Sequence, residues 1–286
     1  MRLREVMVER LTALVGDPVR VVNVLVEHDE RCVLEVELPG GRPAVAKCVV
    51  DPDRAGAEAR VLDAAAGAGV PVPRLVAVGA GSPTVLVLER VGGDWLAPDR
   101  PARAWSATGA AVRRLHGVAV PGLPGFAGRD GWAAGLGELA SHWGPRACAA
   151  GLDPRVVDAA RAAAGRLLPS GPAESGIVTL HGDCVPIHVR LDDNDEVLGL
   201  LDFGDTCRGD PAWDLAVLTM RSPERLPAVL DGYGADADVR AWAARAWPVY
   251  RALRLVAEVG WLADHGFDPT AAVNEAASAA WTLRDP

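Results

Sequence analysis

His181-Gly182-Asp183-Cys184-Val185-Pro186-Ile187-His188 and, a dozen residues further on, Leu200-Leu201-Asp202-Phe203-Gly204-Asp205 are the two stretches that decide how this chain folds. Between them lie apolar runs at 187–191 and 197–201, separated by Asp192-Asp193-Asn194-Asp195. Asp and Asn side chains bond their own backbone and favour turns, so this segment reads as a β-hairpin with a solvated polar tip. A hairpin brings its two ends together, so Asp183, His188 and Asp202 are expected to meet. Phosphoryl transfer asks for such a cluster. One carboxylate orients the attacking hydroxyl and receives its proton, while oxygen ligands hold the metal that bridges the nucleotide phosphates.

To the N-terminal side the chain is β-rich. Residues 21–26, 32–38 and 44–50 are β-branched runs, and Pro39-Gly40-Gly41 between the last two is a hairpin turn. A helix is expected over 54–68, entered through Asp51-Pro52-Asp53 and stopped by Gly69, then strands at 75–78 and 84–89. Gly92-Gly93 reads as a flexible joint. Beyond it the periodicity turns helical, at 102–116, 129–143, 153–168, 211–221, 236–264 and 269–282, with the hairpin lying among these helices. The fold class is therefore α+β: a small antiparallel β-sheet lobe with one helix at 1–91, and a large mainly helical lobe at 92–286. Trp242, Trp247, Trp261 and Trp281 are expected in the core of the second lobe.

Composition narrows the function classes. The net charge of −9 argues against broad nucleic-acid binding and leans towards a cationic small-molecule partner. No uncharged apolar run reaches the ~18 residues of a membrane span, and Glu5 and Glu9 interrupt any signal-peptide core, so a cytoplasmic protein is expected. Five cysteines without a C-x-x-C pair suggest reduced thiols and no zinc site, and Cys184 reads as a packing residue. His28, His142 and His265 read as surface or cap residues, and Asp210 as a helix N-cap. Of the 29 basic residues, Lys47 is the only lysine. In a chain so biased to arginine, a lone lysine marks a place where a compact ammonium fits and a planar fork does not.

The paired motifs resemble the signature of aminoglycoside phosphotransferases and their kin, which share the bilobal protein-kinase-like fold. In the kinase pattern H-R-D-x-x-x-x-N the aspartate precedes a metal ligand by five residues, as Asp183 precedes His188, and Asp202-Phe203-Gly204 is similar to D-F-G. Ala44-Val45-Ala46-Lys47 resembles V-A-I-K, with Glu58 on the next helix as the ion-pair partner. The segments 69–74, 85–93 and Arg114-Leu115-His116 extend the likeness to roughly residues 20–220. The resemblance implies ATP or GTP as donor with Mg²⁺, and nucleotide binding by the first lobe through Lys47, Glu58 and the backbone around Glu89 and Val91. It also implies Asp183 as base, His188 and Asp202 as metal ligands, and His181 and Asp214 as structural residues of the catalytic loop.

Two departures stand out. His188 replaces the usual asparagine, and the loop Glu27-His28-Asp29-Glu30-Arg31 has no glycine. They motivate an alternative reading, a nucleotide-binding pseudokinase. For an active enzyme the acceptor is expected to be a hydroxyl of a small cationic antibiotic such as an aminoglycoside, held by acidic groups such as Asp205, Glu258 and Asp264. Macrolides, tuberactinomycin peptides and choline-like metabolites are the alternatives. A protein kinase is disfavoured, since no A-P-E element follows D-F-G.

Overall fold

The protein is described from a computed structural model covering residues 3–125, 128–167, 169, 176–281 and 283. The expected helix ends at 168 and 282, and the side chain of Trp281, lie outside the described residues.

The small lobe is one antiparallel sheet. β1 (Arg20–His28), β2 (Arg31–Leu38), β3 (Arg42–Val49), β4 (Leu75–Gly79) and β5 (Thr84–Glu89) lie in the order β1-β2-β3-β5-β4. Strand β5 explains the layering. Val85 and Val87 face one side of the sheet, Leu86 and Leu88 the other, and both sides are covered, so the strand is a continuous apolar run. One cover is the expected helix α2 (Pro52–Gly67), whose Ala57, Val61 and Leu62 pack on Leu86 and Leu88. Asp51 caps it by accepting from the amides of Asp53 at 2.9 Å and Arg54 at 3.3 Å. The other cover is a helix the sequence reading did not assign. In α1 (Leu3–Val15), Met7 and Leu11 stand one turn apart and pack on Cys32, Leu34, Cys48 and Val85. The small lobe thus carries two helices, because β2, β3 and β5 together present an apolar face on the side of the sheet away from α2, and that face must also be buried.

Gly92-Gly93 is less free than expected. β6 (Asp94–Trp95) pairs with β8 (Val189–Leu191), which pairs in turn with β9 (Val197–Leu200), forming the predicted hairpin. Gly93, at φ +82°, lies so close to Leu191 that a Cβ would stand 2.2 Å from its carbonyl oxygen. The hairpin tip also differs from a simple solvated turn. Asp192 accepts from the amides of Asn194 and Glu196 at 2.8 Å, but Asp195 is buried and binds Arg100 at 3.0 Å, and Arg103.

The large lobe contains α3 (Ala102–His116), α4 (Gly128–Ala149), α5 (Pro154–Leu167), β7 (Val178–Leu180), β10 (Cys207–Gly209), α6 (Ala212–Thr219), α7 (Leu226–Tyr233), α8 (Ala237–Asp264) and α9 (Thr270–Trp281). Trp242 and Trp247 are half-buried, and their indoles donate to Asp210 at 2.7 Å and Thr219 at 2.8 Å. Asp210 also accepts from the Ala212 amide at 2.8 Å and from Tyr250, so it ties the entry of α6 to α8; it stands one residue ahead of the N-cap, which is Pro211 and not Asp210 as expected. One apolar cluster runs from α2 and β5 through Leu96, Val189, Leu200 and Phe203 to α6, without a break at the junction of the lobes. Among the described residues no helix is long and apolar enough to cross a membrane.

Candidate active site

The hairpin delivers its ends to the junction of the two lobes, where Asp202 meets Lys47 of the small lobe. Asp183 stands on the approach to a short 3₁₀ turn, Pro186–His188, that leads into β8, and Asp202 lies just past β9. His188 connects them. Its Nδ1 is 2.9 Å from the Asp183 carbonyl, so Nδ1–H donates there, and Nε2 faces the Asp202 carboxylate at 3.7 Å. The five-residue spacing read from the sequence closes this contact.

The loop ahead of Asp183 is held from beneath. Asp214, fully buried on α6, accepts from the amides of His181 at 2.7 Å and Gly182 at 3.0 Å, and His116 lies 3.0 Å from the same carboxylate. His181 donates from Nε2 to the Leu201 carbonyl at 2.8 Å, linking the two ends of the hairpin. Burial keeps its imidazole neutral by lowering its pKa. Gly182 has φ +88°, and a Cβ there would stand 1.9 Å from the Asp205 carbonyl oxygen, so only glycine allows the two loops to close.

From the small lobe, Lys47 on β3 reaches the same place. Its ammonium lies 2.7 and 2.6 Å from the Glu58 oxygens and 2.8 Å from Asp202 Oδ1, and only 3% of the residue is exposed. Three carboxylate oxygens converge on one nitrogen, geometry that suits an ammonium and not a fork. Glu89 ends β5 and donates its amide to the Arg74 carbonyl at 2.9 Å, and Val91 packs over Gly199 of β9.

Three arginines join the cluster that sequence reading did not single out. Arg31, first residue of β2, donates to Asp202 Oδ2. Arg54 of α2 donates to the Gly204 carbonyl at 3.0 Å and pairs with Asp205. Arg254 of α8 donates to Asp183 Oδ1 at 2.8 Å, with Glu258 one turn further at 3.6 Å. Nothing local marks these among 28 arginines, because each partner is distant in sequence. The expected acidic acceptor groups therefore already have cations: Asp205 has Arg54, Glu258 has Arg221 and Arg254, and Asp264 has Arg146. Asp264 also stands roughly 15 Å further along α8 than Arg254, away from the other two. The ring of His28, the last residue of β1, meets His265 at 4.9 Å and Trp261 at 5.9 Å, so these two histidines bridge the lobes.

The two aspartates are held ionised. Burial opposes the charge of Asp183, but Arg254 and then His188 outweigh it and lower its pKa. For Asp202 burial is outweighed by Lys47, Arg31 and His188, and the pKa falls well below the ordinary value. Burial, with Asp214 and Asp183 nearby, drives the Cys184 thiol well above its usual range, which leaves it inert. A carboxylate held low stabilises the fold above its unfolded pKa of about 3.9, and that contribution is lost as pH falls through the folded value. In Arg254→Met the strongest charge holding Asp183 down is gone. A carboxyl-resolved NMR titration should then move Asp183 to higher pH than in the parent protein; an unmoved titration contradicts the assignment of Arg254.

His188 Nε2 and the Asp202 carboxylate, 3.7 Å apart, are the two groups that could hold a nucleotide-bound divalent ion. With its Nδ1 proton directed to the Asp183 carbonyl, His188 presents the Nε2 lone pair beside the Asp202 carboxylate. Among the described residues no three His, Cys, Asp or Glu side chains form a ready-made cage. Mg²⁺ commonly takes one or two protein ligands and completes its shell with phosphate and water oxygens.

Residues 25–253 match the phosphotransferase enzyme family. The streptomycin 3''-kinase of Streptomyces griseus is 32% identical over 190 residues, 63% of this chain and 70% of that protein. Among solved structures, a thermostable mutant of aminoglycoside phosphotransferase APH(4)-Ia, in a ternary complex with ADP and hygromycin B, superimposes with a TM-score of 0.70 at 17% identity, covering 98% of this chain and 99% of that one. The GDP complex of aminoglycoside 2'-phosphotransferase-IIIa gives 0.67 at 16% identity, over 98% and 97% of the two chains. At these identities the superpositions establish the fold, which is protein-kinase-like.

Proposed function

Since the chain belongs to the phosphotransferase enzyme family, we propose that it transfers the γ-phosphoryl group of ATP or GTP to a hydroxyl of a small cationic antibiotic of the aminoglycoside class. The observation that carries this reading is the Lys47 ammonium held between Glu58 and Asp202 where the two lobes meet. Such a lysine presents its charge to nucleotide phosphates, and Glu58 keeps it in place.

Asp202 and His188 would hold the divalent ion, which when bound neutralises negative charge on the phosphate oxygens. Asp183, ionised and a short turn away, accepts the hydrogen bond of the acceptor hydroxyl and takes its proton as that oxygen bonds to the γ-phosphorus and the bond to the β-phosphate oxygen breaks, releasing the nucleoside diphosphate. His188 fixes the backbone of Asp183, Arg254 fixes one carboxylate oxygen, and the other remains for the acceptor. Asp214 and His181 hold the loop and take no part in proton transfer. Glu89 and Val91 border the expected adenine position, and the boundary between nucleotide and acceptor lobes falls at 91–92.

A cationic acceptor is supported by the acidic balance of −9 and by Glu258, whose buried Oε2 accepts no hydrogen bond among the described residues. An amine placed there would share Glu258 and Asp183 with Arg254. Streptomycin leads the candidates because the curated relative is a streptomycin 3''-kinase. The test is nucleotide turnover coupled to an acceptor panel of streptomycin, hygromycin B, a macrolide, a tuberactinomycin peptide and choline. An aminoglycoside is expected to stimulate turnover to about 1–100 per second, the ordinary kinase range. If nucleotide binds but no acceptor stimulates turnover, the pseudokinase reading suggested by His188 replaces this one.

A further inference from the structure

The turn from β1 into β2 is made by Asp29-Glu30, and with Glu27-His28 at the end of β1 it forms a segment with no glycine and three carboxylates. Backbone amides cradle phosphates when no Cβ stands in the way, which is why phosphate loops are glycine-rich. This loop is poorly made for that task, and its negative charge opposes it. The residue that follows it is Arg31, whose side chain is 20% exposed and reaches from the small lobe to Asp202.

Two features of Arg31 are unusual for a simple ion pair. Its Nε is buried and has no hydrogen-bond partner among the described residues. Its Nη1 lies along the Asp202-Phe203-Gly204 segment, 3.7 Å from where a Cβ on Gly204 would stand, beside the Lys47 ammonium at 3.4 Å from the same point. Lys47 already occupies the other oxygen of Asp202, so Arg31 adds a second cation to a carboxylate that one would satisfy. The idle donor belongs to a planar fork suited to two oxygens of a phosphate.

We propose that Arg31 is a phosphate-binding residue of this enzyme. It rests on Asp202 in the free protein and turns its fork, Nε included, onto the terminal phosphates of the bound nucleotide, in place of glycine-loop amides. The inference rests on the nucleotide-kinase reading of the site. Lys47 and Arg31 then form two walls around the phosphates, one from β3 and one from β2.

Equilibrium binding of ATP, ADP and AMP to the full chain with Mg²⁺, for the parent protein, Arg31→Gln and Arg31→Lys, tests this without reference to turnover. Arg31→Gln should weaken ATP about tenfold to a hundredfold, the loss expected for a charge-assisted contact, and leave AMP nearly unchanged. Arg31→Lys, which keeps the charge beside Asp202 but not the fork, should fall between and fold normally. Equal weakening of ATP and AMP would make Arg31 a structural residue. Unchanged or tighter ATP binding would make it only a competitor for Asp202. If the parent protein itself does not prefer ATP over AMP, the nucleotide reading fails; if it does and Arg31→Gln keeps that preference, only the role of Arg31 falls.

Discussion

Asp183→Asn is expected to lower acceptor-dependent phosphoryl transfer by about 10²–10⁴-fold, the span of a lost general base, with nucleotide affinity nearly intact. The amide has the size and shape of the carboxylate, so the short turn to His188 and the backbone contact at 2.9 Å should survive. It cannot take a proton. Arg254, 2.8 Å away, loses its anionic partner, yet Glu258 remains beside it, so the guanidinium is not stranded. Single-turnover transfer with the best acceptor, beside calorimetric binding of ATP, separates the two quantities. Transfer within about tenfold of the parent would remove Asp183 from the role of base and leave positioning as the main source of rate.

The second large effect belongs to Lys47. Lys47→Met should destabilise the protein by about 3–5 kcal/mol, because it leaves Glu58 buried without its cation. Glu58 is 1% exposed and has both oxygens on the ammonium, whereas Asp202 keeps Arg31. Replacing the pair together, in Lys47→Met with Glu58→Leu, should recover most of the lost stability by restoring an apolar contact between β3 and α2. It should not recover nucleotide binding. Denaturant unfolding and ATP binding on the single and double variants distinguish a structural ion pair from a functional one. If the double variant binds ATP as the parent does, Lys47 serves only the fold.

Much of this could be read along the chain because the relevant signals are local. The turn chemistry of Asp192 to Asp195 announces the hairpin, and five residues of spacing set His188 against the Asp183 carbonyl. A single lysine in an arginine-rich chain marks its own position, and register places it on the central strand β3, paired with Val33 and Leu86. Helix α1 is not announced by its own residues, although Met7 and Leu11 share one face, since the sheet surface it covers is assembled from strands that lie beyond it in sequence. The burial of Asp195 is hidden for a similar reason: its partners are Arg100, just ahead of α3, and Arg103, in its first turn, nearly a hundred residues earlier.

The order of elements, the hairpin and the identity of its flanking carboxylates follow from residue type and short-range periodicity, which neighbours along the chain dictate. The partners of those carboxylates do not. Arg31 and Asp202 are 171 residues apart and Arg254 and Asp183 are 71 apart, and any of the arginines would serve equally well on charge alone. Which guanidinium arrives is settled by where packing places β2 and α8 beside the hairpin ends, because an ion pair in a partly buried site forms only where rigid elements have already brought both groups within a few ångströms.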